Sequence, residues 1–302
     1  MSLPVSPLRY PGSKRRLSSY IEQTLRVNRF SPTLYIELFV GGASVALHLL
    51  RQKLVTKIIL VDRDPWIASF WQTVFWDTEW LIDQIERTPV TVDTWQALKE
   101  SQPETCREKA WACLFLNRTS FSGILRREVG PLGGRTQTSP YKIDCRFPRQ
   151  TLIDRIRQIA SFRDCVYSVW EMPWNEALDR IRIEQYNGKL PQSGLFFYLD
   201  PPFFEKADTL YRYYFTQNDH ESLRDVLLLL EDKWLLSYDS ANQVESLYSQ
   251  AIADNSNGTK KSSVEIFYSV SSLRERKRGK EIILTNLEIL PDLWEGYEQE
   301  VI

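Results

Sequence analysis

Cysteine, histidine and long apolar runs are all scarce in this chain, and each scarcity removes a class of function. The four cysteines (Cys106, Cys113, Cys145 and Cys165) include no C-x-x-C pair, so a zinc or dithiol redox site is not expected. Two histidines, His48 and His220, leave little material for a Ser-His-Asp triad or a histidine-rich metal site. The apolar run Val226 to Leu230 is far shorter than the roughly 20 residues a membrane helix needs. The stretch from Met1 to Arg16 carries charges and lacks an apolar segment, so no signal peptide is expected and a reducing cytoplasm is. A net charge of −1 excludes a polycation, so any binding to nucleic acid must use a local basic surface.

What is present is the composition of a folded protein, with 43% apolar and 25% charged residues in a chain of 302. That length suits one large domain or a core domain carrying an inserted lobe. Residues 17–29 read as a helix after the Pro11-Gly12 turn. Leu34 to Phe39 reads as a strand broken by Gly41-Gly42, Ala43 to Leu50 as a helix, and Lys57 to Val61 as a strand ending on Asp62. Strand, glycine turn, helix, strand and acid open a doubly wound α/β sheet. Residues 66–120 turn tryptophan-rich and helical in period. Gly123, Gly130, Pro131, Gly133, Gly134 and Pro140 then punctuate 121–150, predicting a long ordered loop or hairpin. The α/β rhythm resumes with a strand at 165–170, helix 174–186, strand 195–199, helix 219–232, strand 234–237, helix 241–249 and strands at 263–269 and 280–285. The prediction is one α/β domain, 1–68 with 151–302, interrupted by an inserted lobe at 69–150.

The strongest motif is Leu195-Phe-Phe-Tyr-Leu-Asp-Pro-Pro-Phe203. An apolar strand delivers an acid, two prolines and a ring to its C-terminal end, where open α/β sheets bind ligands. A stiff turn stopping a strand would use the same prolines, but the strand in front and the glycine unit upstream favour a site. Such residues suit methylation of an aromatic amine, whose lone pair is delocalised into the ring. The Asp200 carboxylate and the Pro201 carbonyl can each accept one amino hydrogen, restoring tetrahedral character to the nitrogen. Pro202 stiffens the turn, and Phe203 offers a face for stacking on a base. The second motif is Tyr35-Ile-Glu-Leu-Phe-Val-Gly-Gly-Ala-Ser44 followed by Asp62. Glycines after a strand admit close approach of a ligand, and an acid about 20 residues on can hold ribose hydroxyls. Asp62 could instead cap the next helix. The incomplete G-x-G-x-x-G lowers the dinucleotide reading, since a cofactor with a ribose and no pyrophosphate needs fewer glycines. The third motif, Arg9-Tyr-Pro-Gly-Ser-Lys14, is by itself a generic turn.

In this order, together with Asn117-Arg-Thr-Ser-Phe-Ser-Gly123, these motifs resemble those of the Dam-like (alpha-group) adenine-specific DNA methyltransferases over nearly the whole chain. The resemblance implies a Rossmann-like sheet that binds S-adenosyl-L-methionine, an inserted, mainly helical target-recognition domain with a DNA-contacting hairpin, and methylation of a flipped-out adenine in a short duplex sequence. It places the cofactor against Tyr10, Lys14, Glu37, Phe39, Gly41, Asp62, Met172 and Asp200, and catalysis at Asp200, Pro201, Pro202 and Phe203. Arg118, Arg126, Arg127, Arg135 and Lys142 become the candidates for DNA contact, arginine being suited to bidentate recognition of guanine or phosphate. The basic run Arg274 to Lys280 fits a phosphate contact or a charged turn. Double-stranded DNA is the expected partner, with no metal and no membrane. A cognate restriction endonuclease is compatible with the family, and a monomer is expected because one subunit carries every motif. Two departures stand out: Phe203 where tyrosine is commoner, and Ala43 where many relatives carry glycine. RNA, cytosine or a protein amide as substrate, and a non-catalytic binding module, are the competing readings.

Overall fold

The computed structural model describes residues 6–10, 14–204, 207–268 and 277–291. Helix α1 (Ser18–Val27) leads into strand β1 (Leu34–Glu37), helix α2 (Ser44–Arg51) and strand β2 (Ile58–Asp62). The chain then makes a long helical crossover through α3 (Pro65–Trp76), α4 (Thr78–Arg87), α5 (Val92–Glu100), α6 (Cys106–Thr119) and α7 (Arg149–Ala160) before β3 (Val166–Glu171). After it come α8 (Trp174–Tyr186), β4 (Leu195–Leu199), α9 (Ala207–Leu210), α10 (Gln217–Leu229), β5 (Lys233–Asp239), α11 (Asn242–Ala253), β6 (Lys260–Tyr268) and β7 (Lys277–Thr285).

The seven strands form one sheet in the order β3-β2-β1-β4-β5-β7-β6. β1 pairs in parallel with both β2 and β4, and β7 runs antiparallel between β5 and β6. This mixed α/β sheet is compatible with a methyltransferase fold. Its central strands are apolar up to the acids Glu37 and Asp62 that end β1 and β2, because parallel strands are covered on both faces. Alternation divides their side chains between two clusters. Tyr35, Ile58, Leu60, Phe196 and Tyr198 face one layer, and Leu34, Ile36, Ile59, Phe197 and Leu199 face the other. The first layer holds buried residues of α1 to α7, so the helices of 65–160 share a core with α1 and α2 rather than having one of their own. The second layer is built on α8, α10 and α11.

Local chemistry sets the helix starts. Asp64 accepts the Trp66 N–H at 2.9 Å and Pro65 opens α3. Thr105 with Glu108, and Thr216 with Asp219, form capping boxes for α6 and α10. The second box starts α10 at Gln217, two residues before the periodicity alone suggests. The 121–150 stretch departs from the hairpin expectation. It is a chain of turns closed by one antiparallel bridge, Ser120 to Pro131, with short 3-10 turns at Phe121–Gly123 and Ile143–Arg146. Positive φ at Ser122, Gly123, Gly133, Gly134 and Gln137 breaks any ladder. The Gln137 side chain ties the loop instead, donating to the Leu132 carbonyl and accepting the Ile143 N–H.

Candidate functional site

β1 and β4 are neighbours whose crossovers leave in opposite directions, which opens a crevice at their C-terminal ends. A cavity lies there, with about 1040 Å³ of unfilled space including its mouth. Tyr10, Lys14, Glu37, Phe39, Gly41, Asp62 and Asp200 all line it, so the two strongest motifs and the opening segment converge on one place. Pro202 lines it as well.

The glycine turn is held from both sides. The Gly41 N–H donates to Asp62 Oδ2 at 2.9 Å, and Trp71 Nε1–H donates to the Gly41 carbonyl at 2.9 Å. Gly41 has φ +41°, and a Cβ there would lie 2.6 Å from the Tyr10 ring. Ala43 has φ +51°, a left-handed conformation for a residue with a Cβ, which accounts for the glycine many relatives of the resembled family carry there. Strain at such a position is about 1 kcal/mol. Ala43→Gly is therefore expected to leave stability level or raise it by up to about 1 kcal/mol, the gain being offset in part by the entropy of glycine in the unfolded chain. Chemical denaturation measures this, and a loss of more than about 1 kcal/mol would contradict the assigned backbone strain.

Five acidic residues line the cavity, Glu37, Asp62, Asp64, Asp200 and Asp219, and three of them belong to the motifs. Burial pushes Glu37 up to about 8, although Tyr35 Oη donates to its Oε2 at 2.8 Å and the Ala46 N–H at 3.1 Å. Burial, then the charge of Asp64, pushes Asp62 up to about 7, against the hydrogen bonds it accepts from Asp64 and Gly41. Burial raises Asp200 too, and Lys14 opposes this. The Lys14 Nζ, itself buried, lies 2.8 Å from Asp200 Oδ1 and 3.6 Å from Glu281 Oε1. Ser237 Oγ donates to Asp200 Oδ1 at 3.1 Å, and Tyr198 Oη lies 2.9 Å from Ser237 Oγ. With the serine proton on Asp200, Tyr198 is the donor to Ser237. Lys14 and Ser237 thus fix the orientation of the Asp200 carboxyl, and both favour its ionised form against the burial that raises it.

The other expected residues fall as follows. Pro201 lies in the turn between Asp200 and Pro202, and Phe203 sits beneath the Lys14 ammonium at 5.4 Å and edge-on to Tyr211 at 5.8 Å. Met172 does not line the cavity: it packs into the second cluster, while Pro173, Trp174 and Asn175 reach the cavity wall just beyond it. Arg118 is interior, where a solvent-facing position was expected. Its guanidinium donates to the Arg146 and Pro7 carbonyls, and burial followed by the charges of Arg9, Arg155 and Arg146 lowers it to about 9. The α6 helix turns that residue toward the N-terminal segment. Beside it Asn117 accepts the Arg9 N–H at 2.6 Å and donates to the Arg9 and Gly123 carbonyls. Arg126 pairs with Glu128 at 3.1 Å, and its carbonyl accepts Lys99 Nζ. Arg127, Arg135 and Lys142 are exposed on the same loop. Pro11, Gly12, Ser13 and Arg274 to Arg276 lie outside the described residues, whereas 277–280 belong to β7. Among the described residues no group of three or more His, Cys, Asp or Glu is placed to hold a metal ion, and no helix is long and apolar enough to cross a membrane.

The motifs did not indicate the roof of the cavity, formed by Tyr211, Arg212, Tyr213, Tyr214 and Phe215. Phe215 meets Phe39 edge-on at 5.6 Å, and Tyr211 lies 5.8 Å from Tyr10. Tyr198 was within reach of sequence reasoning, since it shares a strand face with Asp200. Ser237 and the roof carried no such signal.

No curated protein matches this sequence. Among solved structures, one described as precorrin 8w decarboxylase of Methanobacterium thermoautotrophicum is matched at 10% identity, with 88% of each chain covered and a TM-score of 0.35. That likeness is too remote to bear on fold or activity. Over residues 10–131 the chain matches the model of the D12 class N6 adenine-specific DNA methyltransferase family, a match consistent with a Dam-like adenine methyltransferase and one that indicates a DNA methyltransferase enzyme.

Proposed function

We propose that the protein transfers a methyl group from S-adenosylmethionine to the exocyclic nitrogen of an adenine flipped out of a short duplex DNA sequence. The observation that carries this reading is the Asp200 carboxyl, paired with Lys14 at 2.8 Å and lining the same cavity as Gly41 and Asp62. The methyltransferase family implies S-adenosylmethionine as donor, and the residues present fit it. Asp62 ends β2 where ribose hydroxyls can be accepted, Gly41 lets the Tyr10 ring close against the turn, and Phe39 and Trp174 supply apolar wall. When bound, the cofactor supplies an electrophilic methyl group.

The chain's own residues do the positioning. Tyr10, Lys14 and Glu37 complete the cofactor side of the cavity. Asp200 and the Pro201 carbonyl accept the two amino hydrogens, so that the nitrogen lone pair is directed out of the ring plane; Phe203 stacks on the base. Such positioning needs the base outside the helix, because the amine inside a duplex cannot be reached in line. Residues 69–150 serve as the inserted target-recognition segment, between catalytic parts at 1–68 and 151–302. Arg127, Arg135 and Lys142 are its exposed contacts and Arg126 its partly covered one, with Arg118 supporting the loop from within. A monomer acting in the cytoplasm completes the reading.

Expressing the chain in a methylation-free host and sequencing the methylome tests it. A new methyladenine mark at one short motif is expected. Folded protein that binds the cofactor but leaves DNA unmarked would sink the duplex-DNA reading, and nucleoside digestion of labelled RNA and DNA would then identify the acceptor.

A further inference from the structure

Asp62 does not stand alone at the end of β2. Its Oδ1 accepts the Asp64 N–H at 2.8 Å, so a second carboxylate follows two residues on. Asp64 Oδ1 caps α3 through the Trp66 N–H and also accepts Arg212 Nη1 at 2.8 Å. Arg212 arrives from the cavity roof, 148 residues further along the chain, and its guanidinium lies 4.1 Å from the centre of the Trp66 ring. The pair is largely desolvated, with side-chain exposures of 25% for Arg212 and 11% for Asp64. Arg63, between the two acids, lies instead over the Tyr213 ring at 5.3 Å.

We propose that Arg212 is a positioning residue for cofactor capture: by neutralising Asp64 it keeps Asp62 ionised, the form that accepts two ribose hydroxyl protons. This rests on the ribose role assigned to Asp62 above. Two buried carboxylates so close cannot both ionise without a counter-charge. The other charged groups lining the cavity are engaged elsewhere or are acids themselves: Lys14 lies on Asp200 and Glu281, Arg63 over the Tyr213 ring, and Asp200 and Asp219 add negative charge. Glu37 on β1 is a third acid, and Glu171 on β3 adds negative charge near Asp64. Tyr10 and Cys113 of α6 are driven by burial to hold their protons. Asp62 is balanced near neutrality, at about 7, so a modest change of field at Asp64 decides its charge.

The test compares wild type with Arg212→Met, Asp64→Asn and the double variant. Asparagine preserves the cap of α3, so Asp64→Asn removes charge without removing the helix start. Two readouts are taken: carboxyl NMR titration of Asp62 in the free protein, and calorimetric affinity for S-adenosylmethionine from pH 5 to 9. Removing Arg212 leaves the Asp64 charge uncompensated, so Asp62 should ionise about one pH unit higher and affinity should fall about fivefold at pH 7, approaching about tenfold near pH 5. Asp64→Asn should move the acid limb of binding to lower pH, and the double variant should return to the wild-type limb or below it. A merely structural anchor predicts a pH-independent loss in Arg212→Met that Asp64→Asn does not repair, and that result overturns the proposal. An Asp62 titration unmoved by Arg212→Met overturns it equally, and leaves the cofactor reading intact. Wild-type protein that binds no S-adenosylmethionine at any pH overturns the ribose reading itself, and this proposal with it.

Discussion

Asp200→Ala is expected to lower methyl transfer to duplex DNA by about 100- to 1000-fold, the scale on which one preorganised polar contact to a reacting group acts. The variant loses the carboxylate that accepts an amino hydrogen, and it loses the partner of Lys14. The ammonium is then left in a buried site with Glu281 at 3.6 Å. A buried cation deprived of its closest partner costs about 3 kcal/mol or more, so thermal stability is expected to fall as well. Asp200→Asn separates the two effects. Its amide keeps the shape of the side chain and one acceptor oxygen, yet it no longer balances the Lys14 charge. Turnover should stay low in both variants, while cofactor affinity falls by much less than turnover. Single-turnover rates with a labelled methyl donor measure the first quantity and calorimetry the second. Transfer at near wild-type rate in either variant would remove Asp200 from the chemistry.

Gly41→Val should abolish measurable cofactor binding, or weaken it by well over tenfold, and lower stability by about 1–3 kcal/mol. The position has φ +41°, which a β-branched residue avoids, and the new Cβ would start 2.6 Å from the Tyr10 ring. The backbone has little freedom to escape, because its N–H is held by Asp62 and its carbonyl by Trp71. The ring must therefore leave the cavity wall, or the turn must move and take the Asp62 contact with it. Gly42→Ala is the comparison. There the nearest atom, Tyr10 Cβ, is 3.3 Å away, and the backbone is not left-handed. It should cost only a few-fold in affinity. Calorimetry and thermal melts on the two variants side by side decide the matter; equal effects would mean that close approach at Gly41 is not what the turn provides.

Much of the scaffold was legible because local physics and tertiary structure agree there. Helix α8 and strand β4 fall at the expected residues, whereas the first strand, expected to run to Phe39, ends at Glu37 before the Gly41-Gly42 turn. Agreement is close in these elements because parallel strands buried on both faces read as unbroken apolar runs, and because prolines and glycines terminate elements by their own dihedral limits. The 121–150 stretch was legible only as something irregular. Its glycines announce turns, but whether turns stack into a ladder depends on pairing across the loop, and a single bridge forms.

The site divides along the same line. Sequence alone determined the chemistry carried at the strand ends: an acid closing β2, a glycine turn after β1, and Asp-Pro-Pro-Phe after β4. Each is a local property of its own segment. Tertiary structure alone decided which charges meet. Lys14 reaches Asp200 across 186 positions, Arg212 reaches Asp64, and Arg118 is withdrawn from the surface to hold the Arg146 and Pro7 carbonyls. Side-chain partners of that kind depend on how distant segments are brought together when two apolar layers close on a twisted sheet. Burial then sets the ionisation of Glu37, Asp62 and Asp200, because desolvation is a property of the closed cavity and of no residue by itself.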